Sequence, residues 1–203
     1  MEAFTRRYPR LFHVTDPAAL PGIEADGLLS AEALLRLYAV PDREAILGRN
    51  RGRGNFQVLE RAGHPGAVLR DQWMPDEPLR ACLGGRYRDR PEAWRRLINA
   101  HVFFWVEEAQ ARRLAGVNRA REQRVLVFGS AALLAGCDIG DVFTTPINAG
   151  YALPRYGRPP SPRDETTFRP LAGYPYRDAP DRRPPRELAV RGGVAGAMRF
   201  RVT

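Results

Sequence analysis

Four polar side chains stand where apolar strands carry few of them. In "LFHVTD", residues 11–16, His13 and Thr15 alternate with Phe12 and Val14, so the two pairs leave opposite faces of a strand. Phe12 and Val14 can enter a core. His13 and Thr15 must meet water, a buried partner or a ligand. Arg70 sits in the short run "GAVLRDQ", 66–72, which reads as a strand, and Glu187 sits in "RELAV", 186–190, beside three aliphatic residues. A carboxylate in that setting must be paired, solvated or used. On its own, each residue also has an ordinary structural role: a satisfied core histidine, or a glutamate salt-bridged on an edge strand. Together an imidazole, a guanidinium and a carboxylate offer proton transfer, anion pairing and stabilisation of positive charge.

The missing motifs narrow the chemistry. Lysine is absent, so no phosphate-binding Gly-x-x-x-x-Gly-Lys loop exists. There is no Gly-x-Gly-x-x-Gly after a strand, no His-Glu-x-x-His, no Cys-x-x-Cys and no Gly-x-Ser-x-Gly elbow. Three scattered histidines and two cysteines do not make a zinc site, and no metal is expected.

The elements that must position these residues follow from pattern. After the strand at 10–15, Asp16 and Pro17 open a short helix carrying Leu20 and Ile23, and Gly27 closes it. Ser30 caps a helix over 31–39, and Pro41-Asp42 starts another to about Leu47. "GRNRGRGNF", 48–56, is a basic Gly-rich turn. Residues 77–84 and 91–99 read as helical, and "HVFFWV", 101–106, as the most apolar strand. A helix over 107–116, a strand over 124–129 and a brief helix from Ser130 to Leu134 complete this part. Residues 154–185 hold nine of the 18 prolines and seven arginines, a composition that excludes a helix or a central strand and predicts a long surface loop. Strands at 186–190 and 197–202 close the chain. Helices gather early and strands late, which is α+β order in a single domain spanning 1–203.

Composition sets the partners. The net charge is +9, and all 32 basic residues are arginine. A codon bias toward arginine explains the missing lysine; the surplus charge suggests a polyanion, either nucleic acid or a dinucleotide. No apolar run approaches a membrane span. No apolar stretch follows Arg6 and Arg7 as in a secretory signal, and Cys82 and Cys137 are unpatterned. These features predict a cytoplasmic protein with free thiols and no membrane partner.

"LFHVTDPAALPGIEADGLLS" resembles the opening element of ADP-ribosyltransferase-like proteins: a His-x-Thr strand, a short helix carrying an Ile, then Gly-Leu. The likeness is nearest to DarT-type nucleic-acid ADP-ribosyltransferases and a related uncharacterised bacterial family. "LINAHVFFWVEEA" resembles their mid-chain aromatic strand, and "RELAV" the late strand bearing their catalytic glutamate. The three stretches come in the family's order across most of the chain.

The resemblance implies an ADP-ribosyltransferase-like split β-sandwich with helices early in the chain. It implies NAD+ as co-substrate, cleavage of the nicotinamide–ribose bond, and transfer to a nucleic acid, DNA ahead of RNA, by a toxin or defence protein with an antitoxin or ADP-ribosyl hydrolase as partner. Its transition state is oxocarbenium-like, as in glycoside hydrolysis. Glu187 would stabilise that charge and deprotonate the acceptor; His13 would bind the ribose, and Thr15 would support it. Arg70 would pair with the pyrophosphate, with the Arg49–Arg53 turn, and Arg53 in it, as second choice. Phe104 and Trp105 would stack on the bases, and Asn148 in "TTPINAG" would line the cleft. Two other readings stand beside this one. RNA 2′-phosphotransferases share the His-Thr strand and Gly-Leu turn but rely on Arg and His rather than a glutamate. An inactive arginine-rich module would use the cleft to bind nucleic acid or protein.

Overall fold

The computed structural model describes residues 1–117, 121–154, 157–177 and 183–202, so parts of the Pro/Arg-rich segment (155–156 and 178–182) lie outside the described residues. The strands are β1 Arg10–Thr15, β2 Leu28–Leu29, β3 Gln57–Leu59, β4 Ala67–Leu69, β5 His101–Trp105, β6 Arg124–Gly129, β7 Val142–Thr145, β8 Arg169–Pro170, β9 Glu187–Arg191 and β10 Gly193–Val194. The helices are α1 Glu2–Arg7, α2 Leu20–Asp26, α3 Ala31–Leu37, α4 Arg43–Gly48, α5 Asp76–Arg80, α6 Pro91–Asn99, α7 Glu108–Ala115 and α8 Ser130–Ala135. Six strands form an antiparallel sheet in the order β6-β1-β5-β9-β7-β8, and β2–β10 and β3–β4 form two-stranded ribbons. This is an α+β protein. Among the described residues no helix is long and apolar enough to cross a membrane.

Local chemistry accounts for several boundaries. The Asp16 carboxylate accepts from Ala18 N–H at 2.9 Å and Pro17 follows it, so the chain turns directly off β1. Ser30 Oγ accepts from Ala33 N–H at 3.1 Å and starts α3. Gly27 has φ +85°, and a Cβ there would lie 2.4 Å from the Val194 carbonyl oxygen. Only glycine lets β2 approach β10 so closely.

Four apolar clusters hold the layers together. Leu11, Phe104, Leu126, Phe128 and Leu188 centre the main core on one face of the sheet. Phe12, Val14 and Trp105 pack with Ala111 of α7 on the other. Trp94 and Leu79 anchor α5 and α6, and Leu35, Leu47 and Leu69 join α3 and α4 to the β3–β4 ribbon.

Three expectations change. The closing strand over 197–202 is a 3₁₀ turn at Ala197–Phe200, with only Arg201 bridging to Phe128. Gly196, at φ +56°, breaks the extension, and Met198 and Phe200 pack against the main core from the turn. The strand over 66–72 is the three-residue β4, because it is one arm of a hairpin whose other arm, β3, is equally short. The helix over 77–84 begins and ends earlier, as α5. The expected elements also omit α1 and β7, although β7 proves central to the site. In the Pro/Arg-rich segment β8 pairs with β7, while Arg163, Thr167 and Leu171 are buried.

Candidate active site

The sheet has a seam. Between β1 and β5 the one paired couple is Phe12 with Trp105, whereas β1 pairs with β6 over all six of its residues. Beyond the couple, side chains replace the ladder. His13 Nδ1 lies 2.9 Å from the Phe103 carbonyl oxygen, and Arg70 donates to the Val14 carbonyl at 3.1 Å. Both carbonyls are thereby satisfied without a neighbouring strand, as buried backbone acceptors must be. A cavity of about 510 Å³ opens at this seam, within the range of small-molecule sites.

The seam reconciles two residues that alternation alone would separate. Directly paired residues share a face. Phe12, Trp105, Glu187 and Thr145 therefore form one row across β1, β5, β9 and β7. His13, one residue beyond Phe12, starts from the other face. Because β1 and β5 part there, His13 and Glu187 both line the cavity.

Glu187 lies on a central strand, flanked by β5 and β7, and is only 4% exposed. The edge salt bridge of the ordinary reading is absent among the described residues. Its Oε2 accepts from Thr145 Oγ1–H and Ala149 N–H, each at 3.0 Å. Its Oε1 has no donor among the described residues. Burial pushes the carboxyl up from 4.5 to about 7, against the pull of Ala149, Thr145, Arg186 and Arg163. A carboxyl so poised changes charge at neutral pH, as sites that handle protons require.

His13 is poised differently. Desolvation lowers its pKa to about 4, opposed by the Phe103 carbonyl and aided by Arg70. The imidazole is neutral at pH 7. A carbonyl can only accept, so the proton sits on Nδ1 and Nε2 presents a lone pair.

Among the described residues three arginines line the cavity: Arg51, Arg53 and Arg70. Arg53 is exposed and lies over the Trp73 ring. Arg70 lies 4.0 Å from Asp71. Arg51 is buried, 7% exposed, and its four hydrogen bonds all end on neutral oxygens: Arg70 O, Gln72 Oε1 and, twice, Asn99 Oδ1. Desolvation lowers its pKa to about 10, with Asp71 opposing. It keeps its charge, and a buried guanidinium held by neutral acceptors favours an incoming anion.

Of the remaining expected residues, Thr15, Trp105 and Asn148 line the cavity. Phe104 does not. It is fully buried and meets Phe128 edge to face with centroids 5.7 Å apart. It follows Phe103 on β5 and so points into the main core, out of reach of a bound base.

The sequence reading passed over several residues. Arg51 stands in the basic turn, but spacing cannot tell which of three nearby arginines turns inward. Thr145 lies within "TTPIN" and Ala149 follows it; the β7–β9 register brings Thr145 to Glu187, and the turn after β7 returns Ala149 N–H to the same oxygen. Arg163 donates to the carbonyls of Asn148 and Tyr151 and so ties down the turn that carries Ala149. No group of three or more potential metal ligands occurs among the described residues.

A family model matches residues 9–201, and the chain belongs to that family, a family of unknown function designated DUF7002. No curated protein and no solved structure matches the chain.

Proposed function

We propose that this protein is an NAD+-dependent ADP-ribosyltransferase, with the split-sheet fold of that superfamily, acting on nucleic acid. One observation carries the reading. A neutral imidazole from the start of the chain and a buried carboxyl from its end, without an ion-pair partner among the described residues, line one cavity that a buried arginine also lines. The residues suit a dinucleotide: an aromatic wall at Trp105, an imidazole lone pair for a ribose hydroxyl, and Arg51 and Arg70 for the pyrophosphate.

In the reaction the bond between ribose C1′ and the nicotinamide nitrogen breaks, and its electron pair leaves with nicotinamide. Positive charge spreads over C1′ and the ring oxygen. The carboxylate of Glu187, fixed at Oε2 by Thr145 and Ala149, leaves Oε1 to stabilise that charge or to hold the 2′-hydroxyl. The acceptor then bonds to C1′ and gives up its proton to the same carboxylate. The +9 net charge supports a polyanionic acceptor.

The test is incubation with NAD+ labelled in its adenosine moiety and, separately, single-stranded DNA, RNA and lysate proteins, with nicotinamide release followed in parallel. Label entering nucleic acid with stoichiometric nicotinamide supports the reading. Label in the protein fraction alone overturns the nucleic-acid part. No nicotinamide release, together with no rise in melting temperature at millimolar NAD+, overturns the whole. Turnover that survives Glu187→Gln points instead to 2′-phosphotransferase chemistry.

A further inference from the structure

Arg163 stands in "SPRDE", 161–165, within the Pro/Arg-rich segment, yet it is only 2% exposed. Backbone bonds hold it on both sides. Its N–H donates to the Cys82 carbonyl and its own carbonyl accepts from Gly84 N–H, each at 2.8 Å, in a parallel bridge to Leu83. A guanidinium so deeply buried needs acceptors for its donors. Among the described residues it finds the carbonyls of Ser161, Asn148 and Tyr151 and the Cys82 sulfur. Asn148 and Tyr151 bracket Ala149. Fully buried Trp94 fixes the same turn from another direction, since its Nε1–H donates to the Ala149 carbonyl at 3.4 Å.

One of the Arg163 bonds falls on a particular peptide. The Asn148 carbonyl and the Ala149 N–H belong to a single planar unit, and a trans peptide sends them in opposite directions. Arg163 Nη2 donates to the oxygen at 3.2 Å, and the hydrogen on the other side goes to Glu187 Oε2, with nitrogen and oxygen 3.0 Å apart. A guanidinium, one peptide and the carboxyl therefore stand in series. Were the peptide reversed, the Asn148 oxygen would face Glu187 and repel its carboxylate, and Arg163 would lose an acceptor.

We propose that Arg163 is a positioning residue for Glu187, acting through the Asn148–Ala149 peptide to hold that N–H on Oε2 and so leave Oε1 available. This rests on the role given to Glu187 above, but the series itself is measured without NAD+. Hydrogen bonds in a chain polarise one another, so the guanidinium makes the Ala149 N–H a better donor. Burial raises the Glu187 carboxyl, and the groups that pull it down are Ala149, Thr145, Arg186 and Arg163. Thr145 faces it from β7, and Trp105 faces it from β5. Arg186, the preceding residue, donates to Gln110 at 2.9 Å and overlies Trp105, so its charge acts through space. His13 lines the same cavity and is neutral. Arg163 differs from all of these in bonding the far end of a donor to Glu187.

The first test uses wild type alone. In nitrogen-labelled protein, the Ala149 amide and the Arg163 guanidinium resonances should shift with pH at the same midpoint as the Glu187 carboxyl, and both shifts should vanish in Glu187→Gln. A guanidinium that stays still while Ala149 and the carboxyl titrate overturns the proposal. The second test compares Arg163→Met with Arg163→Lys, each checked for a cooperative melting transition. In Arg163→Met the rise of kcat/KM with pH should move upward by about one unit, and kcat above that rise should fall by about 10²-fold. Arg163→Lys, which keeps a charge but not the fork, should recover most of the shift in the limb. Loss of activity equal at every pH, with the limb in place, assigns Arg163 a merely structural role and overturns the proposal, as does unchanged activity. If Arg163→Met does not fold, the titration of wild type decides. Absence of nicotinamide release by wild type overturns the transferase reading instead, and the titration still decides the series.

Discussion

Replacing Glu187 by glutamine should make the protein more stable at alkaline pH and nearly inactive. The amide is isosteric, and its oxygen can accept from Thr145 and Ala149 as Oε2 does. What changes is ionisation. The folded protein holds the Glu187 proton to about pH 7, because burial outweighs the nearby donors, while the unfolded chain releases it near 4.5. The folded state therefore binds more protons between these values. The stability this group contributes is complete below pH 4.5 and is lost as the pH rises through 7. At about 1.36 kcal/mol per pH unit, the loss reaches about 3 kcal/mol by pH 8. Glutamine has no proton to lose. For a chain of this size 1 kcal/mol moves Tm by about 2–4 °C, so the variant should melt roughly 6–12 °C above wild type at pH 8, with the gap closing toward pH 5. Titrations common to both proteins cancel in the difference. Melting curves from pH 5 to 8.5 measure the gap, and nicotinamide release should fall by about 10²–10⁴. A gap independent of pH would refute the assignment of a buried, poised carboxyl. Retained cleavage would refute its use.

Other perturbations probe the same geometry. The pH dependence of kcat/KM for NAD+ should rise through about 7 as Glu187 ionises, with no separate inflexion from His13, which is already neutral; a profile flat from pH 5 to 9 would contradict the role given to Glu187. Thr145→Val removes one donor to the carboxylate and should move that limb upward, leaving the limb in place only if the bond is immaterial. Arg51→Lys loses the fork shared with Gln72 and Asn99 and should raise KM for NAD+ tenfold or more, which direct NAD+ titration checks against a mere loss of stability. Phe104→Leu should cost about 1–3 kcal/mol in stability and leave KM unchanged, since that ring lies in the core; a raised KM would place it at the ligand.

Much of the fold was legible because its signals are local. The strand at 124–129 and the helix at 91–99 coincide with the structure, since alternation and 3.6-residue spacing depend on near neighbours. Ser30 and Asp16 announced their caps for the same reason. The last segment misled because Met198 and Phe200 alternate like a strand, whereas one left-handed glycine turns them into the core. Two-residue strands such as β8 and β10 have no period to read.

The residue types of the site were likewise set out in sequence: a histidine and a threonine sharing one side of a strand, a glutamate among aliphatic residues, and arginines in a basic turn. Which of them act together was settled only by tertiary structure. Alternation places His13 and Glu187 on opposite faces, and only the parting of β1 from β5 brings them to one cavity. Register across β9 chose Thr145 as the partner of Glu187, and packing turned Arg51 inward while Arg53 stayed in solvent. The reason is physical. Local preference acts through bonds and nearest neighbours, whereas burial, desolvation and register depend on chain segments many residues away.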